Sequence, residues 1–190
     1  MTQKMQHPIA YEAAVITVSD SCARELREDV SGPAVVELLL SAGFETVATT
    51  IVPDEQSAIE DALRTAAGQV RLVVTTGGTG IALRDVTPEA TRAVCERILE
   101  GVAELMRSEG RHHTPLAVLS RGLCGTLGTS VILNVPGSPA GATSSLRAVL
   151  PVLPHALELL EGKTEHDAQP SATAPPTKNA ARKTRKVERS

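Results

Sequence analysis

Residues 75–89 read TTGGTGIALRDVTPE, which sets Gly77, Gly78 and Gly80 close together, followed by Asp85 and a Thr87-Pro88 pair. Glycine admits positive φ and lets backbone N–H groups approach a phosphate closely. Thr76 and Thr79 add hydroxyls. Thr87-Pro88 suits a helix start, with a capping hydroxyl and proline at the first position, and a helix N-terminus attracts anions. The stretch therefore offers two sets of donors to one phosphorylated ligand, although a glycine-rich turn standing alone is more often only a turn. It is neither a Walker loop nor G-x-G-x-x-G. Asp85 changes the chemistry, because a carboxylate repels phosphate unless a cation lies between them. Mg²⁺ commonly binds through one or two carboxylates plus substrate phosphates. Asp54, in VPDE (52–55), falls on the same expected edge, and together the two suit a Mg²⁺-phosphate site. The plain alternatives are that Asp85 pairs with Arg84 or closes a turn, and that Asp54 caps the next helix. Asp20 and Asp29 either join this site or only order the loop that carries them.

The second candidate is SRGLCGTLGTSVILNVPGSPAGA (120–142). Arg121 suits a phosphate, and Ser120 and Ser138 suit donation to one. The competing reading of Pro136-Gly137-Ser138-Pro139 is a β-turn followed by a helix cap. His112-His113 lack a third metal ligand and are expected at the surface. Cys124 has no histidine nearby in sequence, so an inert thiol is expected rather than a nucleophile. Cys22 and Cys95 read as ordinary thiols.

The elements that would position these residues follow from periodicity. Continuous apolar, β-branched runs at 13–19, 45–53, 70–76, 115–120 and 129–135 read as strands. Helical spacing at 31–43, 55–68, 87–110 (one long helix or a broken pair) and 138–162 (interrupted near Pro151 and Pro154) alternates with them. Strands apolar on both faces and alternating with helices predict an α/β fold: one three-layer, doubly wound domain over 13–162, with a mostly parallel sheet and helices on both faces. Ligands in such folds bind beyond the carboxyl ends of the strands, which directs attention to loops 19–31, 53–55, 76–87, 120–129 and 136–139.

Composition narrows the class further. Tyr11 and Phe44 are the only aromatics and Trp is absent, so the core must be aliphatic, and base-stacking platforms are argued against. Residues 1–162 carry 12 Lys+Arg against 19 Asp+Glu, a net −7 without the basic footprint of a nucleic-acid binder. Residues 163–190 carry 7 against 3 and a single aliphatic residue larger than Ala, which reads as a disordered basic tail. Residues 1–12 read as a short leader. Three scattered cysteines without a C-x-x-C pair, no secretory signal and no membrane-length apolar run fit a soluble cytoplasmic protein.

TTGGTGIALRDVTPEAT followed by SRGLCG…VILNVPGSPAGA resembles the MogA/MoaB family of molybdenum-cofactor biosynthesis proteins, and VSDSCARELREDVSGP (18–33) resembles that family's opening strand, loop and helix. The likeness runs in order from about residue 13 to 160. It implies an α/β domain, a homotrimer, that handles molybdopterin. Its implied activity is molybdopterin adenylyltransferase: AMP passes from Mg²⁺-ATP to the pterin's terminal phosphate, pyrophosphate leaves, and a separate insertase protein adds molybdenum. The alternative is a non-catalytic molybdopterin-binding or carrier protein of the same family. By motif, Asp54 and Asp85 match the catalytic, Mg²⁺-linked aspartates. Thr76, Gly77, Gly78, Thr79 and Gly80 match the nucleotide loop. Ser120, Arg121, Asn134, Pro136, Gly137, Ser138 and Pro139 match the region that holds pterin or nucleotide. Cys124, where relatives carry a small residue, and the apolar Ile81-Ala82-Leu83 depart from the family pattern.

Overall fold

A computed structural model describes residues 11–163; the expected tail beyond 163 and nearly all of the leader lie outside them. Six strands form one sheet in the order β2-β1-β3-β6-β5-β4. β1 (Glu12–Val18), β2 (Glu45–Val52), β3 (Leu72–Thr76) and β6 (Ser130–Val135) run parallel to their neighbours in this set. β5 (Cys124–Leu127) and β4 (Arg97–Ile98) add an antiparallel edge.

The sheet is buried on both faces because consecutive strand residues point to opposite sides. Ala13 and Val15 of β1, Leu72 and Val74 of β3, and Val131, Leu133 and Val135 of β6 face one apolar layer. A single turn, α1 (Asp20–Ala23), follows β1, and the layer itself is completed by α2 (Ser31–Ser41), α5 (Glu100–Gly110), α6 (Pro139–Val149) and α7 (Leu153–Leu160). The alternate residues Ala14, Ile16, Val18, Val73 and Ile132 face the opposite layer, against Ile59 and Leu63 of α3 (Gln56–Ala67) and Ala90 and Val94 of α4 (Thr87–Val94). The expected three-layer, doubly wound, mostly parallel architecture is the one observed. After β2 the chain passes back across β1 to form β3, so the direction of winding reverses between β1 and β3.

The structure departs from expectation at the antiparallel edge. The 87–110 helical stretch is the broken pair, split by β4, whose Ile98 pairs with Gly125. Gly125 packs so close that a Cβ there would stand 2.5 Å from Cys95 Sγ and 2.7 Å from the Arg97 carbonyl. Only a bare residue lets the two strands approach. The loop expected at 120–129 contains β5 and the tight turn to β6. The strand expected at 115–120 is a 3₁₀ turn, Pro115–Leu119, begun by the Thr114 hydroxyl accepting from Leu116 N at 3.3 Å. Its apolar residues fit no ladder, and Leu116 is 68% exposed. α2 is begun by the aspartate two residues ahead of it. Ser31 is its first residue, and Asp29 Oδ1 takes the N–H groups of Ser31 and Gly32 at 3.0 Å each.

Candidate functional site

The glycine turn leaves the carboxyl end of β3 at the winding reversal. Gly77 has φ +104°, and a Cβ on it would lie 2.3 Å from the Val18 carbonyl, so neither conformation nor space admits a side chain. Gly78, at φ +62°, has the Thr87 hydroxyl 2.3 Å and Asp54 Oδ1 3.2 Å from its Cβ position. Thr87 does not cap α4, whose N-cap is Val86 with no side-chain bond. Its buried hydroxyl donates instead to the Gly77 carbonyl at 2.9 Å, tying turn to helix. Thr76 Oγ1 donates to the Pro136 carbonyl at 2.8 Å, and a Cβ on Gly137 would stand 3.1 Å from Gly77 Cα. The two motifs found in sequence thus meet at one rim. The N–H groups of Gly78, Thr79 and Gly80 donate to no acceptor among the described residues, so three successive donors remain for a ligand.

Asp20 and Asp54 stand beside this turn, where the chain leaves β1 and β2. Asp54 Oδ2 accepts Asp20 N at 2.8 Å while Asp20 Oδ1 accepts Asp54 N at 3.1 Å, a reciprocal clasp between two loop ends. Asp54 therefore caps no helix; α3 is preceded by Glu55 without a side-chain bond. Arg84 pairs with Asp20 (Nε–Oδ2 2.6 Å) rather than Asp85, and its Nη2 donates to the Asp54 carbonyl at 3.3 Å. Asp85 Oδ2 accepts Ala82 N at 2.8 Å and lies 2.8 Å from the Cβ position of Gly80. Burial raises the proton affinity of Asp54, and the neighbouring charges of Asp20 and Asp85 push the same way, against the Asp20 N–H and Arg84. Asp54 and Asp85 therefore feel one another across one rim. Asp29 stands apart, taking Thr17 Oγ1 at 2.6 Å along with Ser31 and Gly32; it orders its loop. Although burial opposes it, this set of hydrogen bonds holds the Asp29 carboxyl below its ordinary range.

Crowded carboxylates with one arginine between them are a donor set that suits a hard divalent cation. Among the described residues no three metal-ligating side chains converge on a point. A Mg²⁺ ion would thus be held by Asp54 and Asp85 at most, with water and phosphate oxygens completing its shell, the usual arrangement for this ion.

A cleft of about 1340 Å³ opens from the turn. Gly78, Thr79, Gly80 and Asp85 form one end, and Ser120, Asn134, Pro136, Gly137 and Ser138 line its floor. Asp54, Thr76, Gly77, Arg121 and Pro139 support the rim without lining the cleft. Asn134 is buried; its Nδ2 donates to Thr75 Oγ1 (3.0 Å) and Thr91 Oγ1 (2.9 Å). Ser138 caps α6 by accepting Gly141 N at 3.3 Å, as the turn-and-cap reading expected. Ser120 Oγ accepts the Gly122 N–H at 3.4 Å. Sequence reasoning missed the far wall, where Arg107, His113, Ser144 and Arg147 line the cleft and the Ser144 hydroxyl has no partner among the described residues. The only local signal was the small-residue face of AGATSS ahead of Arg147. His112 and His113 are exposed as expected, with His113 3.7 Å from Glu109. Cys124 is fully buried in β5, and burial pushes its thiol up to about 12, far from a nucleophile's range.

Residues 14–155 match the family model described as a probable molybdopterin binding domain. The chain is 41% identical over 157 residues to a molybdopterin adenylyltransferase of Helicobacter pylori, covering 78% of this chain and 86% of that protein. It is 38% identical over 151 residues to a molybdenum cofactor biosynthesis bifunctional protein of Synechococcus elongatus, covering 79% of this chain and 47% of the longer relative. The crystal structure of the molybdopterin biosynthesis enzyme MoaB from Thermus thermophilus is 50% identical and superimposes with a TM-score of 0.76, covering 80% of this chain and 98% of that one.

Proposed function

The chain belongs to the MogA/MoaB family of molybdenum-cofactor biosynthesis proteins, and from that premise we propose that it is a molybdopterin adenylyltransferase. A terminal phosphate oxygen of molybdopterin attacks the α-phosphorus of ATP, the bond to the β-phosphate bridging oxygen breaks, and pyrophosphate leaves. Both reactants are anions, so the protein's tasks are alignment and charge compensation. The observation that carries this reading is the run of unused N–H groups at Gly78, Thr79 and Gly80 with Asp54 and Asp85 beside it, at the mouth of the cleft. These donors would bind phosphate oxygens where charge builds during transfer. The cleft volume of about 1340 Å³ exceeds the roughly 300–1,000 Å³ of a site for one small ligand and suits two. Ser120, Pro136, Gly137 and Ser138 would border the substrates, Asn134 and Thr76 would hold the floor in shape, and Pro139 starts the helix beneath. Asp54 and Asp85 would hold Mg²⁺, which when bound screens the phosphate charges. No protein nucleophile is required, consistent with the burial of Cys124.

The same reading carries a homotrimer, supported by exposed Leu116, Val118 and Leu119 on the 3₁₀ turn and by Ile81 and Leu83 beside the glycine turn. It also carries an insertase partner that receives the adenylylated pterin; the name of the longer Synechococcus relative, a bifunctional protein, supports such a pairing. No described helix is long and apolar enough to cross a membrane. Three free cysteines fit a cytoplasmic location. Incubation with molybdopterin, ATP and Mg²⁺ should release pyrophosphate in step with adenylylated pterin. Tight pterin binding without pyrophosphate would replace the enzyme by a carrier.

A further inference from the structure

The guanidinium of Arg121 stands beside the glycine turn, and sequence reasoning sets it against substrate phosphate. Its geometry says otherwise. Nε donates to the Gly80 carbonyl at 2.6 Å, Nη2 donates to the Asp85 carbonyl, and Nη1 meets the Glu89 carboxylate. The Arg121 backbone N–H adds a bond to the Thr79 carbonyl at 2.8 Å. These contacts grip the loop at both ends, before and after the exposed segment 81–84, where Ile81 is 70% and Leu83 fully exposed. Inside the grip, the loop's own hydrogen bonds are Ala82 N to Asp85 Oδ2 and Asp85 N to the Ala82 carbonyl, while Arg84 reaches outward to Asp20 and Asp54.

Two physical points separate a strap from a phosphate ligand. The fork has spent a donor on each of its three nitrogens, and Glu89 beside it cancels the charge that would attract an anion. The bond is mutual: although burial opposes it, Arg121 holds the Glu89 carboxyl below its ordinary range. We infer that Arg121 is a positioning residue: with Glu89 it straps residues 79–85 into the shape that aims the Asp85 carboxylate and the Gly78–Gly80 N–H groups, and it does not bind substrate phosphate. This rests on the reading above that Asp85 serves adenylyl transfer.

Lysine keeps the charge but can serve only one point of the fork, so Arg121→Lys separates the two roles. The strap predicts that kcat falls by about 10²-fold, the effect of a misplacement near 1 Å, while KM for ATP and for molybdopterin stays within about twofold. Glu89→Gln, which keeps an acceptor, should share the sign with a smaller loss. In an Asp85→Asn background Arg121→Lys should cost almost nothing further, because the group it aims is already gone. Backbone hydrogen exchange supplies a reading independent of turnover. In Arg121→Lys the amides of Ala82 and Asp85 should exchange faster while those of β3 and β6 keep their protection. Retained kcat with KM for either substrate raised tenfold or more, or unchanged exchange at 82 and 85, would overturn the strap. A wild-type protein that makes no pyrophosphate would sink the proposed activity instead, and the exchange result would still decide the strap.

Discussion

The two flanks of the glycine turn each hold an arginine–carboxylate pair and put their charged groups to different uses. On the β1–β2 flank, Asp20 and Asp54 each spend one oxygen on the other's backbone N–H, and Asp54 Oδ1 accepts no hydrogen bond from the described residues. On the β5–β6 flank, all three nitrogens of the Arg121 guanidinium already hold loop oxygens or the Glu89 carboxylate. Asp54 keeps an oxygen without a hydrogen bond from the described residues, the second oxygen of Asp20 being taken by Arg84, whereas the arginine has a bond on every nitrogen. Residue type alone set Arg121 against an anion and left each aspartate open between a cation site and a structural role. What decides is the set of partners each group finds on folding: Glu89 offsets the charge of Arg121 although Nη1 and Nη2 each keep one N–H, whereas Asp54 Oδ1 accepts nothing from the described residues.

The contrast can be broken in steps. The largest effect belongs to the carboxylate on the turn's own loop: Asp85→Asn should lower kcat by about 10²–10³-fold, as for loss of one preorganised electrostatic group, with molybdopterin affinity retained. Steady-state kinetics beside equilibrium pterin binding measure it, and unchanged turnover would remove Asp85 from the mechanism. The turn between the flanks comes next. Gly77→Ala forces a side chain into φ +104° and onto the Val18 carbonyl 2.3 Å away, so it should cost at least about 1–3 kcal/mol in chemical denaturation. Beneath the basic flank, Asn134→Ala leaves the buried Thr75 and Thr91 hydroxyls without their donor and should cost about 1–3 kcal/mol. Arg84→Gln on the acidic flank removes an ion pair whose arginine is 58% exposed, and stability in the same denaturation assay should change by less than about 1 kcal/mol. A larger loss would make the Asp20–Arg84 pair a structural support.

The smallest effect is a dependence on alkaline pH. Burial pushes the Cys124 thiol from 9.0 to about 12 and Cys95 from 9.0 to about 11. The unfolded chain loses these protons first, so the stability they contribute is full below pH 9 and declines as pH rises toward the folded values. Cys124→Ala should flatten part of that decline in denaturation curves taken between about pH 8 and 10. An unaltered slope would show that Cys124 is not its source.

Much of this was legible in residue patterns. The runs AAVITV, LVVTT and SVILNV became β1, β3 and β6, because a strand covered on both faces needs apolar residues throughout. The glycine turn and PGSP fell at strand exits, as doubly wound folds place their ligand loops. The antiparallel edge was illegible. β4 has two residues, and the run PLAVL is apolar enough for a strand yet finds no partner ladder. The far wall of the cleft left only the small residues of AGATSS as a local signal, since Arg107 and Arg147 sit on helices brought together by packing.

By itself the sequence determined the layered class, the family and the acids and glycines at the rim, all of which are written in local spacing. The tertiary structure alone decided which of two nearby acids Arg84 would pair with. It also decided that Asp29 would order a loop, that Cys124 would lie buried, and that the Arg121 guanidinium would bond the glycine loop and Glu89. The reason is that hydrogen bonds between side chains and distant backbone depend on where separate loops come to rest. Arg121 and Gly80 lie 41 residues apart along the chain, and only the fold brings them within 2.6 Å.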